Sequence, residues 1–372
     1  MSDGMELPGG QPVAQAGGVR RVLIVSGSVG AGHDAAAQEL RDRLTRTGVA
    51  VEVRDFLDAV PAWAAWVLRE GYLATSRHAP AAFEAMFQGA ERQGMSLRAF
   101  LGLAHLGRAA VGRWLDAGRH DVVVSTYPVS SQCLGEMRQH GRCPVPVLTY
   151  VPDPAVHRAW VHRRVDAHLT VTQASADQGF RDHGIRMIAA GPLVPARFAT
   201  ATAGRREELR RELSLPDGRP VALLSAGSLG MGDVQKAALD LVAAGCVPLV
   251  LCGRNSRLVR QLLCVPGAVP LGWRTDVHDL MRVADVLVNN GGGMTINEAL
   301  VSRLPAVTYR PIPGHGRANA AALDVSGLAA WARSPDELVT QVRKQLHAAA
   351  PASPPGDPTD VVLGVLAGAL PA

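Results

Sequence analysis

A glycine-rich turn that ends in a histidine is the first segment of this sequence with the residue types and spacing for chemistry. Residues 26–34 carry glycines at positions 27, 30 and 32, followed by His33. Their G-x-x-G-x-G pattern differs from the dinucleotide-binding G-x-G-x-x-G, and no G-K-[ST] triplet follows to complete a P-loop. The pattern predicts an anion-binding turn, with Gly30 and Gly32 letting the ligand approach the backbone and His33 at the start of a helix over 34–45.

The position of His33 suggests a chemical role. An imidazole beside a helix N-terminus has its pKa lowered by the helix dipole, and a neutral imidazole suits a general base that takes a proton from an alcohol. The alternative is that His33 only caps the turn.

A second glycine-rich turn spans residues 225–233, with the sequence SAGSLGMGD. It follows an apolar run and precedes a helical pattern, so its backbone amides would face a ligand at the edge of the sheet. Gly227 and Ser228 are predicted to bind a diphosphate. A purely structural turn is the alternative.

The most specific segment is NNGGGMTINEAL, residues 289–300. Gly292, Gly293, Met294 and Thr295 form a helix start whose amides would hold a phosphate, and Glu298 lies one turn inside, where its carboxylate would accept both hydroxyls of a ribose. A carboxylate in the first turn also complements the helix dipole without any ligand. The three preceding glycines favour the binding role.

Metal chelation has no obvious ligands in this chain. No two aspartates have D-x-D spacing, the arrangement that would hold magnesium between diphosphate oxygens. Amides, a helix dipole and arginine would then meet the charge of a leaving diphosphate. We therefore expect no metal and no other cofactor.

Alternating strands and helices must position these turns. Short β-branched runs separated by longer helical patterns are typical of parallel sheets covered by helices on both faces. The series occurs twice, which predicts two doubly wound α/β domains. The predicted strands are 22–26, 51–54, 122–125, 145–149 and 168–171 in the first series and 221–225, 247–251, 268–271, 286–289 and 306–309 in the second.

Proline- and glycine-rich stretches mark the boundaries of these domains. We predict a flexible tail over 1–19, an N-terminal domain over 20–198 and a C-terminal domain over 199–350, with the linker at 191–204. A Pro-rich connector and a final helix (about 359–370) make up residues 351–372.

Composition excludes several classes of protein. The chain has 372 residues, 47% of them hydrophobic and 19% charged, which fits a globular protein and not a disordered one. No secretory signal or spanning segment is evident, so a cytoplasmic location is expected. The five cysteines include no C-x-x-C pair. The net charge of +5 comes almost entirely from arginine, since only Lys236 and Lys344 are lysines; without a dense basic run, nucleic-acid binding is not expected.

Several blocks together resemble a known family. GSVGAGHDAAAQEL, TYPVSS, YVPDPAVHRAWVHRRVDAHLTVTQ, GIRMIAAGPLVPARF, LVLCGRN and NNGGGMTINEALVSRLPAV are similar, in order, to monogalactosyldiacylglycerol synthases. These are inverting GT-B glycosyltransferases related to the peptidoglycan N-acetylglucosaminyltransferase. The resemblance implies two Rossmann-like domains facing each other across a cleft, a UDP-sugar donor on the C-terminal domain and a lipid acceptor on the N-terminal domain. It also implies that the final helix packs back on the N-terminal domain.

Site roles follow from the same resemblance. His33 falls on the family's proposed base, Glu298 on its ribose-binding glutamate and Ser228 in its diphosphate loop. Gly253, Arg254 and Trp273 belong to blocks that surround the nucleobase of the donor in the family.

One motif departs from the family. After Pro313-Gly314 the family commonly has Gln-Glu facing the sugar hydroxyls, whereas this chain has His315-Gly316-Arg317-Ala318-Asn319. We therefore expect no strict preference for UDP-galactose. Either Arg317 favours a donor with a carboxylate or an N-acetyl group, or Asn319 or a neighbouring loop supplies the missing contacts and ordinary glucose or galactose is used.

A basic amphipathic segment is predicted over 95–119. On a single helical projection Leu97, Phe100, Leu101, Ala104, Val111, Trp114 and Leu115 share one side, and Arg98, Arg108, Arg113 and Arg119 share an arc. Such a helix suits peripheral contact with the anionic inner face of the cell membrane. An ordinary surface helix has the same pattern.

Three function classes remain open on the sequence alone. The first is transfer of a hexosyl group from a UDP-sugar to a lipid such as diacylglycerol. The others are a GT-B-fold UDP-sugar epimerase and a non-catalytic nucleotide-sugar-binding protein. His33 argues against the non-catalytic protein, and the match to the lipid-acceptor branch argues against the epimerase.

Overall fold

The computed structural model of the chain describes residues 19–92, 94–200 and 204–369. Nearly all of the predicted tail (1–19), part of the predicted linker and the end of the final helix lie outside these residues. Within them the backbone forms two parallel six-stranded sheets, which confirms the predicted pair of doubly wound α/β units.

The first sheet has the strand order β2-β1-β3-β4-β5-β6. Its strands bury both faces, as parallel sheets between helices do: the side chains of Val22 and Ile24 belong to one core cluster and those of Leu23 and Val25 to the other. The strands are β1 (Arg21–Ser26), β2 (Ala50–Asp55), β3 (Val122–Ser125), β4 (Val147–Val151), β5 (Ala167–Thr170) and β6 (Ile188–Ala189).

Helices cover this sheet and fill a long excursion between β2 and β3. They are α1 (Ala31–Arg46), α2 (Ala62–Trp66), α3 (Tyr72–His78), α4 (Pro80–Glu91), α5 (Met95–Leu106), α6 (Arg108–Gly118), α7 (Pro128–Gln139) and α8 (Gln173–His183). A π-helical turn, Val67–Gly71, joins α2 to α3. Single-turn 3-10 helices occupy Phe56–Ala59 and Arg158–Trp160.

The second sheet has the order β12-β11-β10-β7-β8-β9. Its strands are β7 (Val221–Ser225), β8 (Val247–Leu251), β9 (Val269–Leu271), β10 (Val286–Asn289), β11 (Ala306–Tyr309) and β12 (Ala330–Ala332). A 3-10 turn (Ala196–Phe198) precedes it. The helices are α9 (Arg205–Glu212), α10 (Val234–Ala243), α11 (Ser256–Leu262), α12 (Val277–Val283), α13 (Gly293–Val301), α14 (His315–Ser326), α15 (Pro335–Leu346) and α16 (Pro358–Leu366).

The last helix, α16, belongs to the core of the first sheet. Val362, Val365 and Leu366 pack in the same cluster as Val22 and Ile24. The connector before α16 is fixed by an ion pair of 3.0 Å between the guanidinium of Arg43 and the carboxylate of Asp357. The chain therefore crosses between the two sheets a second time before α16.

The two crossings touch each other at a pair of glycines. A Cβ at Gly191 would lie 2.4 Å from the carbonyl oxygen of Gly356, and both residues have positive φ angles, +91° and +97°. Glycine is required at this contact because any side chain would collide with backbone.

The segment 95–119 departs from its prediction. It is not one helix but two, α5 and α6, which meet at Gly107, where the ring of Phe56 lies too close for a side chain. Leu97, Ala104, Val111 and Leu115 are buried, and Phe100 and Trp114 pack against the core of the first sheet. Most of the apolar side of this segment is therefore core and not available to a membrane, whereas Leu101 is 36% exposed.

Candidate active site

Each sheet changes the direction of its strand order at one point, and the loops that leave the carboxyl ends of the strands there form a crevice. In the first sheet this point lies between β1 and β3, and in the second between β7 and β10. The predicted glycine-rich segments follow β1, β7 and β10. The topology therefore brings the sequence-predicted turns to the two switch points.

The His33 turn begins α1 earlier than predicted. Gly30 precedes the helix with a φ of +109°, and His33 lies in the first turn of α1 instead of just before it. Its ring packs edge-on against Tyr127, with ring centroids 5.2 Å apart, and against Trp160 at 5.6 Å. The hydroxyl of Thr126 donates a 3.2 Å hydrogen bond to the His33 carbonyl. Residues after β3 and β4 thus hold His33: Tyr127 and Trp160 contact its ring, and Thr126 bonds its backbone.

The electrostatics of His33 favour the neutral ring. Burial lowers the pKa of His33, and the carboxylate of Asp153 partly opposes this effect. Desolvation is therefore the leading cause, where the sequence suggested the helix dipole. Its Nδ1 atom is buried without a hydrogen-bond partner. A neutral imidazole with an unused ring nitrogen can accept a proton.

Asp153 is a site residue that the motif analysis did not single out. Its carboxylate accepts hydrogen bonds from Trp160 Nε1 at 3.3 Å and from Asn319 Nδ2 at 3.2 Å. A Cβ at Gly293 would lie 2.5 Å from its Oδ1. Asp153 therefore joins the His33 side of the crevice to α13 and α14. In the sequence, its one signal is its place in the block YVPDPAVHRAW, which contributes to the family resemblance.

His157, from the same block, lies beside these residues. Its ring centroid is 5.9 Å from that of Trp160. Burial lowers the pKa of His157 to about 4, against the opposing charge of Asp153. The imidazole is therefore neutral at physiological pH.

The start of α13 faces the His33 turn across the crevice. A Cβ at Gly32 would lie 3.1 Å from Cγ of Met294. Gly292 caps the helix, and its N–H and carbonyl both bond the side-chain amide of Asn289, at 3.3 and 3.2 Å. The hydroxyl of Thr295 lies 3.4 Å from that of Ser225 at the end of β7. The turns after β1 and β10 therefore come together.

Glu298 lies one turn inside α13. Burial raises the pKa of Glu298 to about 7, and the guanidinium of Arg197 opposes the shift. Ionisation of this buried carboxylate is unfavourable without hydrogen-bond donors. Ribose hydroxyls would stabilise the ionised form, because hydrogen bonds to a charged acceptor are stronger than those between neutral groups. The position suits the predicted contact with two ribose hydroxyls.

Two loops pack back to back beside α13. The carbonyl of Ser228 accepts a 3.0 Å hydrogen bond from the N–H of Arg254. Gly253 has a φ of +57°, and a Cβ there would lie 2.3 Å from the Ser228 oxygen. Gly227 is also left-handed, with a φ of +68°. Because these residues are glycines, two loops can lie against each other: the one predicted to hold the diphosphate and the one predicted to surround the nucleobase.

Two of the residues predicted to surround the nucleobase stack on each other. The guanidinium of Arg254 lies 4.5 Å from the ring centroid of Trp273. The Trp273 side chain is 49% exposed. A planar aromatic surface with an adjacent cation suits a nucleobase.

In segment 315–319, which departs from the family pattern, some side chains are already engaged by other protein groups. Arg317 Nη1 pairs at 3.4 Å with Oε2 of Glu84 in α4. Both amide hydrogens of Asn319 are used, by Asp153 and by the Gly291 carbonyl, and its oxygen accepts from Ala155 N. The predicted sugar contact of Asn319 is therefore not supported, because its amide already bridges the two halves.

His315, in the same segment, is the first residue of α14. Its ring packs edge-on against Phe83 with centroids 6.4 Å apart. Burial lowers the pKa of His315, with Asp153 opposing. A neutral imidazole there can either donate or accept a hydrogen bond.

The described residues contain neither a metal-binding cluster nor a membrane-spanning helix. In residues 19–92, 94–200 and 204–369, no group of three or more His, Cys, Asp or Glu side chains is arranged to hold a metal ion. The same part of the chain contains no helix with the length and apolarity needed to cross a membrane.

Known proteins resemble this chain in sequence and in fold. The family model for monogalactosyldiacylglycerol (MGDG) synthase matches residues 33–189. A processive diacylglycerol beta-glucosyltransferase of Bacillus cereus (strain B4264) is 23% identical over 338 residues, covering 88% of this chain and 86% of the relative.

Solved structures share the fold at lower identity. MurG of Acinetobacter baumannii has a TM-score of 0.52 at 16% identity, over 89% of this chain and 91% of MurG. The glycotransferase of kitacinnamycin has a TM-score of 0.57 at 18% identity, over 89% and 92% of the two chains. At these identities the likeness establishes the two-domain fold.

Proposed function

We infer that this chain is an MGDG-synthase-like glycosyltransferase with the GT-B fold, which moves a hexosyl group from a UDP-sugar to a lipid acceptor such as diacylglycerol. The family match over residues 33–189 and the named glucosyltransferase relatives support this activity. The observation that carries it is the approach of the His33 turn to the start of α13, because a general base and a phosphate-binding helix then face one crevice.

The proposed mechanism is a direct displacement. His33 takes the proton from the acceptor hydroxyl as that oxygen attacks the anomeric carbon, and the bond to the diphosphate breaks on the opposite face. An α-linked donor then gives a β-glycoside. The neutral, buried imidazole supports this role, since it has a free capacity to accept the proton.

Donor binding is assigned to the C-terminal half. Glu298 would hold the ribose, Trp273 and Arg254 would contact the base, and the amides around Gly227, Ser228 and Gly293 would meet the diphosphate charge. Helix dipoles and amides stabilise a leaving anion without a metal. We therefore propose that catalysis is metal-independent.

For the donor we propose a UDP-hexose whose sugar carries no charge. Arg317 was expected to favour a sugar with a carboxylate or an N-acetyl group, but Nη1 of its guanidinium is directed to Glu84, and we assign it no contact with the sugar. The relative from Bacillus cereus is named as a glucosyltransferase, which agrees with the expectation that galactose is not strictly preferred.

One assay tests the function. UDP release is measured with a panel of UDP-sugars, with and without vesicles that contain diacylglycerol, and with EDTA in a parallel series. We expect release that requires lipid and continues in EDTA. Donor conversion without lipid would identify an epimerase, and absence of both would identify a binding protein. Strict dependence on added magnesium would contradict the metal-independent mechanism.

Membrane contact is proposed for a surface other than the 95–119 stripe. Trp63, Trp66 and Val67 are 60%, 63% and 39% exposed, and we call them the tryptophan patch. Trp66 also lines a cavity of about 390 Å³ with Glu70, Arg77 and His78. Exposed aromatic groups suit a bilayer interface, and Arg77 supplies a cation for anionic headgroups. We place the enzyme peripherally on the inner face of the cell membrane.

The tryptophan patch gives a direct prediction. Replacing Trp63 and Trp66 together with serine is expected to lower co-sedimentation with anionic vesicles by about tenfold, because each ring withdraws apolar surface from water. Trp273→Ser, on the donor half, is the matched control and should sediment like the wild type. Equal vesicle binding by all three proteins would reject the patch as the membrane contact.

A further inference from the structure

Helix α4 of the N-terminal half holds the segment that begins α14 in the C-terminal half. Oε2 of Glu84 accepts a 2.8 Å hydrogen bond from the backbone N–H of Gly314, 230 residues away in sequence. The same oxygen pairs with the guanidinium of Arg317. The Glu84 carboxylate is itself oriented by Gln88, whose Nε2 donates to Oε1 at 2.9 Å.

Close packing accompanies these bonds. A Cβ at Gly314 would lie 2.7 Å from Cε1 of Phe83 and 3.2 Å from Cβ of Phe87. Gly314 also has a φ of +69°. The residue before α14 must therefore be glycine for α4 to approach this closely.

The same helix also reaches the His33 side of the crevice. The ring of Phe87 lies 5.5 Å from that of His157, and His157 in turn contacts Trp160, which packs on His33. One helix therefore contacts both the segment that faces the donor sugar in the family and the surroundings of the proposed base.

We propose that Glu84 is a positioning residue that fixes segment 311–317 for the donor sugar, and that it does so from the acceptor half of the enzyme. This proposal rests on the proposed function for the identity of the donor. A carboxylate favours the positive end of a helix dipole, and the Glu84 side chain is 20% exposed. Arg317 is 53% exposed, so its ion pair is expected to contribute little.

The contribution is specific to the sugar. None of the residues assigned to the nucleoside, Glu298, Trp273 and Arg254, belongs to segment 311–317, which instead packs on Asn290 and Gly291 before α13. Loss of the Glu84 contact should therefore change kinetics with the complete donor and leave the affinity for UDP unchanged.

The test compares Glu84→Ala, Glu84→Gln and Arg317→Ala in the full chain. Glu84→Ala is expected to lower kcat/KM for the UDP-sugar by about tenfold or more, the loss typical of a charged hydrogen bond. Glu84→Gln keeps an acceptor for the Gly314 N–H and should recover part of this loss. Arg317→Ala should cost less than about threefold. Calorimetry should give UDP affinities within about twofold of the wild type.

Met86→Ala is the control, because Met86 is an exposed residue of the same helix. Glu84→Ala kinetics equal to those of Met86→Ala would overturn the proposal. So would a parallel loss of UDP affinity, since that would indicate general damage to the fold. If Glu84→Ala does not fold, Glu84→Asp replaces it: the shorter side chain moves the carboxylate away from the Gly314 N–H, so a loss of kcat/KM at unchanged UDP affinity supports the proposal and wild-type kinetics overturn it.

Hydrogen exchange provides a readout that does not depend on the reaction. In Glu84→Ala the amides of residues 311–317 should exchange faster than in the wild type, while those of α13 should not change. Unchanged exchange in 311–317 would overturn the proposal. If Glu84→Ala shows the faster exchange but the wild type transfers no sugar from any UDP-sugar, the Glu84 contact is supported and the proposed function is contradicted.

Discussion

Replacement of His33 with alanine is expected to lower turnover by about 10²–10⁴-fold, the usual loss when a general base is removed. The effect should fall on kcat, because His33 belongs to the turn after β1 and the nucleotide is assigned to the turns after β7 and β10. UDP affinity measured by calorimetry should stay within about twofold. Steady-state rates with a lipid acceptor and a saturating UDP-sugar give the comparison.

His140→Ala is the matched control for this experiment. His140 is an exposed histidine at the end of α7 in the same half, and its variant should turn over like the wild type. If His33→Ala retains near-normal turnover, His33 is not the base, and the crevice needs another proton acceptor.

Replacement of Glu298 with alanine is expected to weaken UDP binding by about 10–100-fold, the equivalent of roughly 1.5–3 kcal/mol for charged hydrogen bonds. The loss should appear with UDP alone, because the carboxylate is assigned to the ribose. Calorimetric titration with UDP measures it. Glu337→Gln, a substitution in α15 of the same half, is the control.

The raised pKa of Glu298 adds a pH dependence to this prediction. Burial places the pKa near 7 in the free enzyme, and the ribose hydroxyls bind the ionised form. The advantage of wild type over Glu298→Gln should therefore be large at about pH 8 and shrink toward about pH 6, as the carboxylate becomes protonated. Comparing the two proteins cancels the titration of UDP itself. A ratio that does not vary with pH, or UDP affinity unchanged in Glu298→Ala, would reject the assignment.

The central strands and the site turns could be predicted from the sequence because their signals are local. A run such as that of β1 is apolar on both faces, and glycine spacing marks a turn directly. The edge strands β6 and β12 were missed, since runs of two and three residues carry little pattern and depend on a neighbouring strand.

Other features depend on contacts that no local pattern encodes. Helical periodicity over 95–119 does not register the break between α5 and α6 at Gly107, where the ring of Phe56 leaves no room for a side chain. The hydrogen bond from Gly314 to Glu84 joins residues far apart in sequence. The pairing of Arg317 and the engagement of Asn319 become evident only when the two halves are placed together.

The position of α16 has a consequence for biogenesis. This helix completes the core of the first sheet, yet it is synthesised after every element of the second sheet. Domains generally fold as units during synthesis, the N-terminal one first. Here the N-terminal half emerges from the ribosome with the apolar surface beneath α16 uncovered, and it stays so until the C-terminal half has been made. The core of the N-terminal half is therefore completed only after the second sheet has been synthesised, and chaperones that bind exposed apolar surface have that whole interval in which to act.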